Sequence, residues 1–260
     1  MQHRAKKRFG QNFLVDTNVI DKIIHSINPQ VEDHIIEIGP GLGALTRPLL
    51  KTLSRLDAIE LDRDVIPQLK TLEGSEKLHL HNIDVLAFDF TEFKQSNFEH
   101  GKLRIIGNLP YNISTAVLFH LVNHRNCIHD LHFMLQKEVV ERIAASAGSN
   151  DYGRLSVMMQ LYFRISPLFT VAPQCFRPVP GVESAIIRMV PRTSPAIGQD
   201  EHDAFAELVR QAFSQRRKTL KNTLRGLCDT EQIDAAGIDA GKRPQELSVD
   251  DYIRLFRQIH

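Results

Sequence analysis

Apolar residues recur along this chain with a helical period in some stretches and as short continuous runs in others. Val19, Ile20, Ile23, Ile24 and Ile27 fall on one stripe, so residues 16–27 are predicted to form a helix, with Asp16 as its N-cap. From there strands and helices alternate. His34–Ile38, Arg55–Leu61, Lys77–His81, Leu103–Asn108 and Leu131–Leu135 read as five strands. Helices are expected near Gly43–Leu53, Asp64–Leu72, Thr115–Val122 and Glu138–Ala145. Such alternation predicts a parallel sheet covered on both faces. Beyond Arg154 the pattern turns to longer strand-like runs near Tyr162–Val171 and Ser184–Val190, expected as an antiparallel edge. Pro191–Gln199, with its prolines, glycine and small polar residues, reads as a linker. After it the stripes Phe205, Leu208, Val209, Ala212 and Tyr252, Leu255, Phe256, Ile259 are helical. The expected organisation is an α/β domain over residues 1–190, a linker at 191–199 and a small helical domain at 200–260.

With 260 residues, 42% of them apolar, the chain is large enough for that arrangement. Its three cysteines form no Cys-x-x-Cys pair, which argues against a disulfide framework or a zinc site and fits a reducing cytoplasm. No apolar run approaches a membrane span, and the basic N-terminus lacks the apolar segment of an export signal. His120 and His124 have i,i+4 spacing, but no carboxylate completes a His-Glu-x-x-His pattern, so no metal is expected. Net charge is only +1, which excludes a uniformly basic nucleic-acid binder. The charge is nevertheless clustered. Arg4, Lys6, Lys7 and Arg8 crowd the start, and Arg216, Arg217, Lys218, Lys221 and Arg225 form a second group with few acids nearby. Both are candidate phosphate contacts. A helix opening at Arg216 would put Arg217, Lys221 and Arg225 on one face.

The candidate chemistry lies at the ends of the predicted strands. Gly39-Pro40-Gly41-Leu42-Gly43 follows the first, where glycines let the backbone turn tightly against a ligand. Glu60 ends the second and suits ribose hydroxyls; Asp84 follows the third and suits an adenine amine. Gly39, Gly41 and Ala44 also satisfy the dinucleotide spacing G-x-G-x-x-A, so the loop alone leaves S-adenosylmethionine and a nicotinamide or flavin both open. Asn108-Leu109-Pro110-Tyr111, at the end of the fourth strand, favours the first. It can offer an amide oxygen, a backbone carbonyl and an aromatic face to one planar base bearing an exocyclic amine, a constellation for which a dehydrogenase has no obvious use.

Taken together, Gln11–Leu14, Glu37–Thr46, Glu60–Asp64, Asn108–Ser114, Phe133–Val139, Tyr152–Ser156 and Phe176–Ala185 resemble the ribosomal RNA adenine dimethylases over nearly the whole chain. Gln215–Thr219 resembles the bacterial small-subunit (16S) branch, that of the kasugamycin-sensitivity methyltransferases. Glu183 stands where that family more often has Asp. The resemblance implies a Rossmann-like class I methyltransferase with a mostly parallel seven-stranded sheet and an all-helical C-terminal domain. It also implies an enzyme that uses S-adenosylmethionine to dimethylate two adjacent adenosines in a hairpin near the 3′ end of 16S rRNA, in the assembling small subunit; separately, the chain is expected to act as a monomer. Asn12 and Leu14 would cap the cofactor and Gly39 would lie against its methionine part, with Gln11 and Gly41 as further cofactor-binding candidates. Glu60 would take the ribose hydroxyls and Asp84, with Ile83 beside it, the adenine; Leu61 is a further cofactor-binding candidate. Asn108 would stand between cofactor and target. Tyr111 is the candidate stacking partner on one face of the target base. Phe176 is the candidate for the other face, and reads equally as a core aromatic before a proline turn. A large-subunit adenine methylase of the macrolide-resistance type and a non-catalytic RNA-binding assembly factor remain as alternatives.

Overall fold

The computed structural model describes residues 11–260. Contacts divide the chain into two units. One extends through Val140 and takes in Ser166–Pro191; the other comprises Glu141–Ile165 and Arg192–His260.

The first unit begins with a two-residue strand β1 (Phe13–Leu14) and helix α1 (Thr17–Ile27). The Asp16 carboxylate accepts from the Val19 N–H at 3.1 Å, and Asn28 closes the helix in the left-handed conformation. Then follow β2 (His34–Ile38), α2 (Thr46–Thr52), β3 (Leu56–Ile59), α3 (Ile66–Leu69), β4 (Leu78–His81), α4 (Phe90–Asn97), β5 (Leu103–Asn108), α5 (Ser114–Asn123) and β6 (Ile128–Gln136). In chain order α6 (Lys137–Ala144) leads into the second unit, which holds α7 (Arg154–Tyr162), and β7 (Phe163–Val171) leads back to the first, completed by β8 (Phe176–Arg177) and β9 (Ser184–Pro191). The seven-stranded sheet runs in the order β4-β3-β2-β5-β6-β9-β7. From β4 to β6 the neighbours are parallel, and β9 is antiparallel to β6. Helices cover the sheet, so central strands such as β2 and β3 are buried almost throughout, the acids Glu37 and Asp57 included. β1 pairs with β8 in a separate antiparallel ladder.

This order positions the site. From β2 the chain winds one way through β3 and β4, then returns to lay β5 and β6 on the other side. The reversal leaves a crevice at the carboxyl ends of β2 and β5, the place where open α/β sheets bind ligands. Gly107 makes the approach of the two strands possible. It sits opposite Ile38, and a Cβ there would stand 2.5 Å from the Ile38 carbonyl oxygen.

The second unit contains α7 and the helices α8 (His202–Ala212), α9 (Leu220–Thr223), α10 (Thr230–Ala235) and α11 (Val249–Ile259). Phe205, Leu208, Val209, Ala212, Tyr252, Leu255 and Phe256 are buried, as their stripes predict. The grouping differs from the expected boundaries at 190 and 200. Leu155, Val157, Met158, Met159 and Leu161 make α7 nearly wholly apolar, and it packs against α8 and α11. Pro191 ends β9 in the first unit, and the segment 192–199 is tied into the second. Ile197 is buried, the Gly198 N–H donates to Glu201 at 3.0 Å, and Arg257 donates to the Ala196 carbonyl at 2.7 Å. Among the described residues, no helix is long and apolar enough to cross a membrane, and no group of three or more His, Cys, Asp or Glu side chains is arranged to hold a metal ion.

Candidate active site

A cavity of about 590 Å³ opens at the strand ends of the first unit. Residues predicted to hold the cofactor, from Gln11 to Asp84, and all four residues of Asn108–Tyr111 line this one space. Its floor is the loop after β2. Gly41 has φ +53°, and a Cβ on it would stand 3.0 Å from the Phe13 ring, so glycine allows Phe13 to lie over the loop.

Glu60 anchors one end. Its two carboxylate oxygens accept from the Gly41 N–H at 3.2 Å and the Asp62 N–H at 2.7 Å. Burial raises its pKa, and those two backbone donors oppose the rise. Asn82 donates to the Glu60 carbonyl at 2.7 Å and steadies the same turn. Asp62 in turn accepts from the Gln11 side-chain amide at 3.0 Å, which ties the segment before β1 to the acidic loop after β3. At the rim, the Asp84 Oδ1 accepts from the Leu86 N–H at 2.9 Å, which fixes the carboxylate beside Ile83.

Beneath the glycine loop lies Glu37, 2% exposed, which accepts from the Thr46 hydroxyl at 2.7 Å. Burial pushes its pKa up to about 7, with the nearby Glu60 charge adding to the rise. Glu37 and Asp62 were not singled out from the sequence as site residues. The available signals were an acid inside the apolar run of β2 and a second acid two positions after Glu60.

Asn108 and Tyr111 form the other end. The Asn108 Nδ2 donates one of its two protons to the Asn12 carbonyl at 3.0 Å, which orients the amide, with Oδ1 as its acceptor. The turn that follows is stitched to β6 and α5. The Leu109 N–H donates to the Met134 carbonyl at 3.2 Å, and the Ser114 hydroxyl donates to the Tyr111 carbonyl at 3.2 Å. Tyr111 is half-buried at the cavity wall.

Phe176 departs from its stacking role. It is 0% exposed, does not line the cavity, and joins the apolar cluster of Leu14, Met134, Val171 and Ile186. Its pairing with Leu14 across the β1–β8 ladder turns the ring into the core. The structure thus gives it the core reading. Of the basic residues, Arg4, Lys6, Lys7 and Arg8 lie outside the described residues. Arg216, Arg217, Lys218, Lys221 and Arg225 are all exposed in the second unit, but not on one helix face. The helix is only Leu220–Thr223. Residues 215–218 form a turn closed by the Lys218 N–H on the Gln215 carbonyl at 3.0 Å. The N–H groups of Leu220 and Lys221 donate to the carbonyls of Lys242 and Ala240, which sets where α9 begins.

Residues 2–260 match the family model described as ribosomal RNA adenine dimethylase. A Ribosomal RNA small subunit methyltransferase A from Chromobacterium violaceum is 49% identical over 259 residues, covering 100% of this chain and 97% of the relative. Its counterpart from Nitrosococcus oceani is 51% identical over 256 residues, covering 98% and 96%. Among solved structures, a dimethyladenosine transferase from Plasmodium falciparum superposes with a TM-score of 0.78 at 24% identity, covering 94% of this chain and 95% of its own. The 23S rRNA methyltransferase ErmE superposes with a TM-score of 0.70 at 24% identity, covering 95% and 99%. These two likenesses speak for the fold. Full-length sequence matches say more: the chain belongs to the ribosomal RNA adenine dimethylase family.

Proposed function

We propose that this protein dimethylates the exocyclic amines of two adjacent adenosines in a hairpin near the 3′ end of 16S rRNA, with S-adenosylmethionine as methyl donor. The observation that carries the proposal is the Asn108 carboxamide. With Nδ2 held by the Asn12 carbonyl, Oδ1 is an acceptor at the cavity end where a base amine would enter. A binding site that needed a donor there would have the amide the other way round.

The cavity fits a nucleoside-bearing cofactor. Glu60 presents a carboxylate for a pair of hydroxyls, Ile83 and Leu61 present apolar surface to a base, and the glycine loop lets the backbone approach closely. When bound, S-adenosylmethionine supplies a methyl already activated by its sulfonium. The protein's task is the amine. Its lone pair is delocalised into the adenine ring, so it attacks poorly while planar. The Asn108 Oδ1 and the Leu109 carbonyl accept its protons, draw the nitrogen toward tetrahedral geometry and stabilise the positive charge that develops on it. The surplus proton leaves to water after transfer, so no strong base is needed. Alignment of nitrogen and methyl supplies much of the remaining rate. The target base must leave its stack to reach the site, and Tyr111 offers it a ring in exchange. After one transfer the amine retains one proton, enough for one of the two acceptors.

The exposed basic residues from Arg216 to Arg225 supply phosphate contacts in the second unit, as suits RNA read by shape and backbone. The Gln215–Thr219 segment and the small-subunit relatives favour 16S over 23S rRNA. Substrate is presented in the assembling small subunit, which gives the enzyme a place in subunit biogenesis. Paired assays test the proposal: calorimetric binding of S-adenosylmethionine, and transfer of labelled methyl to unmodified small and large subunits. Transfer to small subunits alone is the expected result. Cofactor binding without transfer to either would favour the assembly-factor reading.

A further inference from the structure

We propose that Ser184 is a positioning residue whose hydroxyl fixes the Tyr111 ring as the platform for the target adenine. The inference rests on the methyltransferase reading above and deepens it. Tyr111 Oη and Ser184 Oγ are 2.9 Å apart. Seventy-three positions separate the two residues, so the contact is made by the fold and not by a local turn.

Ser184 is built to be a fixed point. It is 0% exposed and opens β9, where it pairs with Gln136 at the end of β6. The preceding residue is doubly tied: the Lys137 N–H donates to the Glu183 carbonyl at 3.0 Å, and Lys137 Nζ meets the Glu183 carboxylate at 2.8 Å. Tyr111 differs. It follows β5 in an irregular turn and stands half-buried on the cavity wall. A tyrosine in that setting would satisfy its hydroxyl with water and keep its ring free to swing. Here the ring is held at both ends: its backbone by Ser114 and its hydroxyl by Ser184.

A stacking platform works by geometry. With Phe176 buried in the core, Tyr111 is the aromatic side chain in the Asn108–Tyr111 motif that remains for the base. Its ring plane then decides where the amine sits relative to Asn108 Oδ1. Loss of the tether should therefore disturb methyl transfer more than cofactor binding, because Glu60 and the glycine loop do not depend on it.

The test is a double-variant cycle on the full chain, with Ser184→Ala, Tyr111→Phe and the two combined. Transfer of labelled methyl to unmodified small subunits at saturating cofactor gives kcat. Calorimetry gives the S-adenosylmethionine Kd, and thermal melting reports stability. Each single variant should lower kcat about five- to tenfold, the worth of one hydrogen bond, with cofactor Kd changed less than about twofold. The combined variant should be no slower than Tyr111→Phe alone, since both remove the same bond. A Ser184→Ala enzyme with wild-type kcat and a lowered melting temperature would overturn the inference, as the bond would then serve stability only. Losses that multiply in the combined variant would overturn it as well. A wild type that binds cofactor but transfers no methyl would remove the parent reading and this inference with it. An active wild type with an unaffected Ser184→Ala removes this inference alone.

Discussion

Replacing Asn108 by alanine separates the two jobs assigned to its carboxamide. In the proposed mechanism the acceptor, Oδ1, acts on charge that develops only during methyl transfer. A preorganised group of that kind is worth about 3–4 kcal/mol, so kcat should fall about 10²–10³-fold. The donor, Nδ2, makes a 3.0 Å bond to the Asn12 carbonyl whether or not substrate is present. Its loss costs about 1 kcal/mol. Because Asn12 belongs to the segment that lines the cavity, this second loss should appear as a cofactor Kd weakened by up to about fivefold, with the fold retained. The assay is single-turnover transfer of labelled methyl to unmodified small subunits, run at saturating cofactor so that the Kd change cannot masquerade as a rate change. Calorimetry and a melting curve complete it. A kcat within about threefold of wild type would refute the role given to Oδ1.

Four further outcomes are expected. Glu60→Ala should weaken S-adenosylmethionine binding at least about tenfold by calorimetry, since a charged acceptor is lost, and an unchanged affinity would remove the ribose assignment. Phe176→Leu should lower the melting temperature and leave kcat within about twofold, as for a core aromatic; a collapse in kcat at unchanged stability would restore its stacking role. Reversing Arg217 and Lys218 to Glu should weaken RNA binding and reduce its salt slope by about 1.4–1.8, the share of two phosphate contacts, while cofactor affinity stays put. If the RNA affinity and slope did not move, the patch would lose its function. His132 carries one component of the pH dependence, and buried Glu37, raised to about 7, carries another of opposite sign. Burial drops its pKa to about 4, so the unfolded chain binds its proton more readily than the folded one. Its neutral form is accommodated above the ordinary value near 6.5, and stability drains away as pH falls from there toward 4, at about 1.4 kcal/mol per unit. Denaturant melts at pH 7 and 5 should differ by about 2 kcal/mol more for the wild type than for His132→Leu, and equal differences would contradict the assignment.

Much of the first unit was legible because its signals are local. His34–Ile38 and Leu103–Asn108 appear at the predicted bounds, since buried parallel strands leave short, mainly apolar runs. Asp16 announces the start of α1 through its own cap. The element α4 went unread: its run FTEFKQSN is mostly polar, and its main local cue is Asp89, which caps the Thr91 and Glu92 N–H groups at 2.9 Å. What failed in the second unit depends on distant partners. Helix α7 is buried on nearly every side, so its apolar residues lack a stripe and blend into the strand that follows. The start of the short α9 depends on carbonyls about twenty residues away at Ala240 and Lys242, which no window around Arg217 contains. At the site the same division holds. Glycines, acids and the Asn-Leu-Pro-Tyr run announce themselves at strand ends. The burial of Phe176 is set by β1 pairing with β8 across more than 150 residues, and the orientation of the Asn108 amide depends on a backbone carbonyl 96 positions away.

The central claim is that the Asn108–Tyr111 end of the cavity delivers methyl groups to paired adenosines of the small subunit. The most direct measurement is nucleoside mass spectrometry of 16S rRNA after incubation of unmodified small subunits with this protein and labelled S-adenosylmethionine. The account predicts dimethyladenosine carrying all of the label, confined to two adjacent positions of a hairpin near the 3′ end. Label absent from 16S rRNA, or present on 23S rRNA instead, would contradict it.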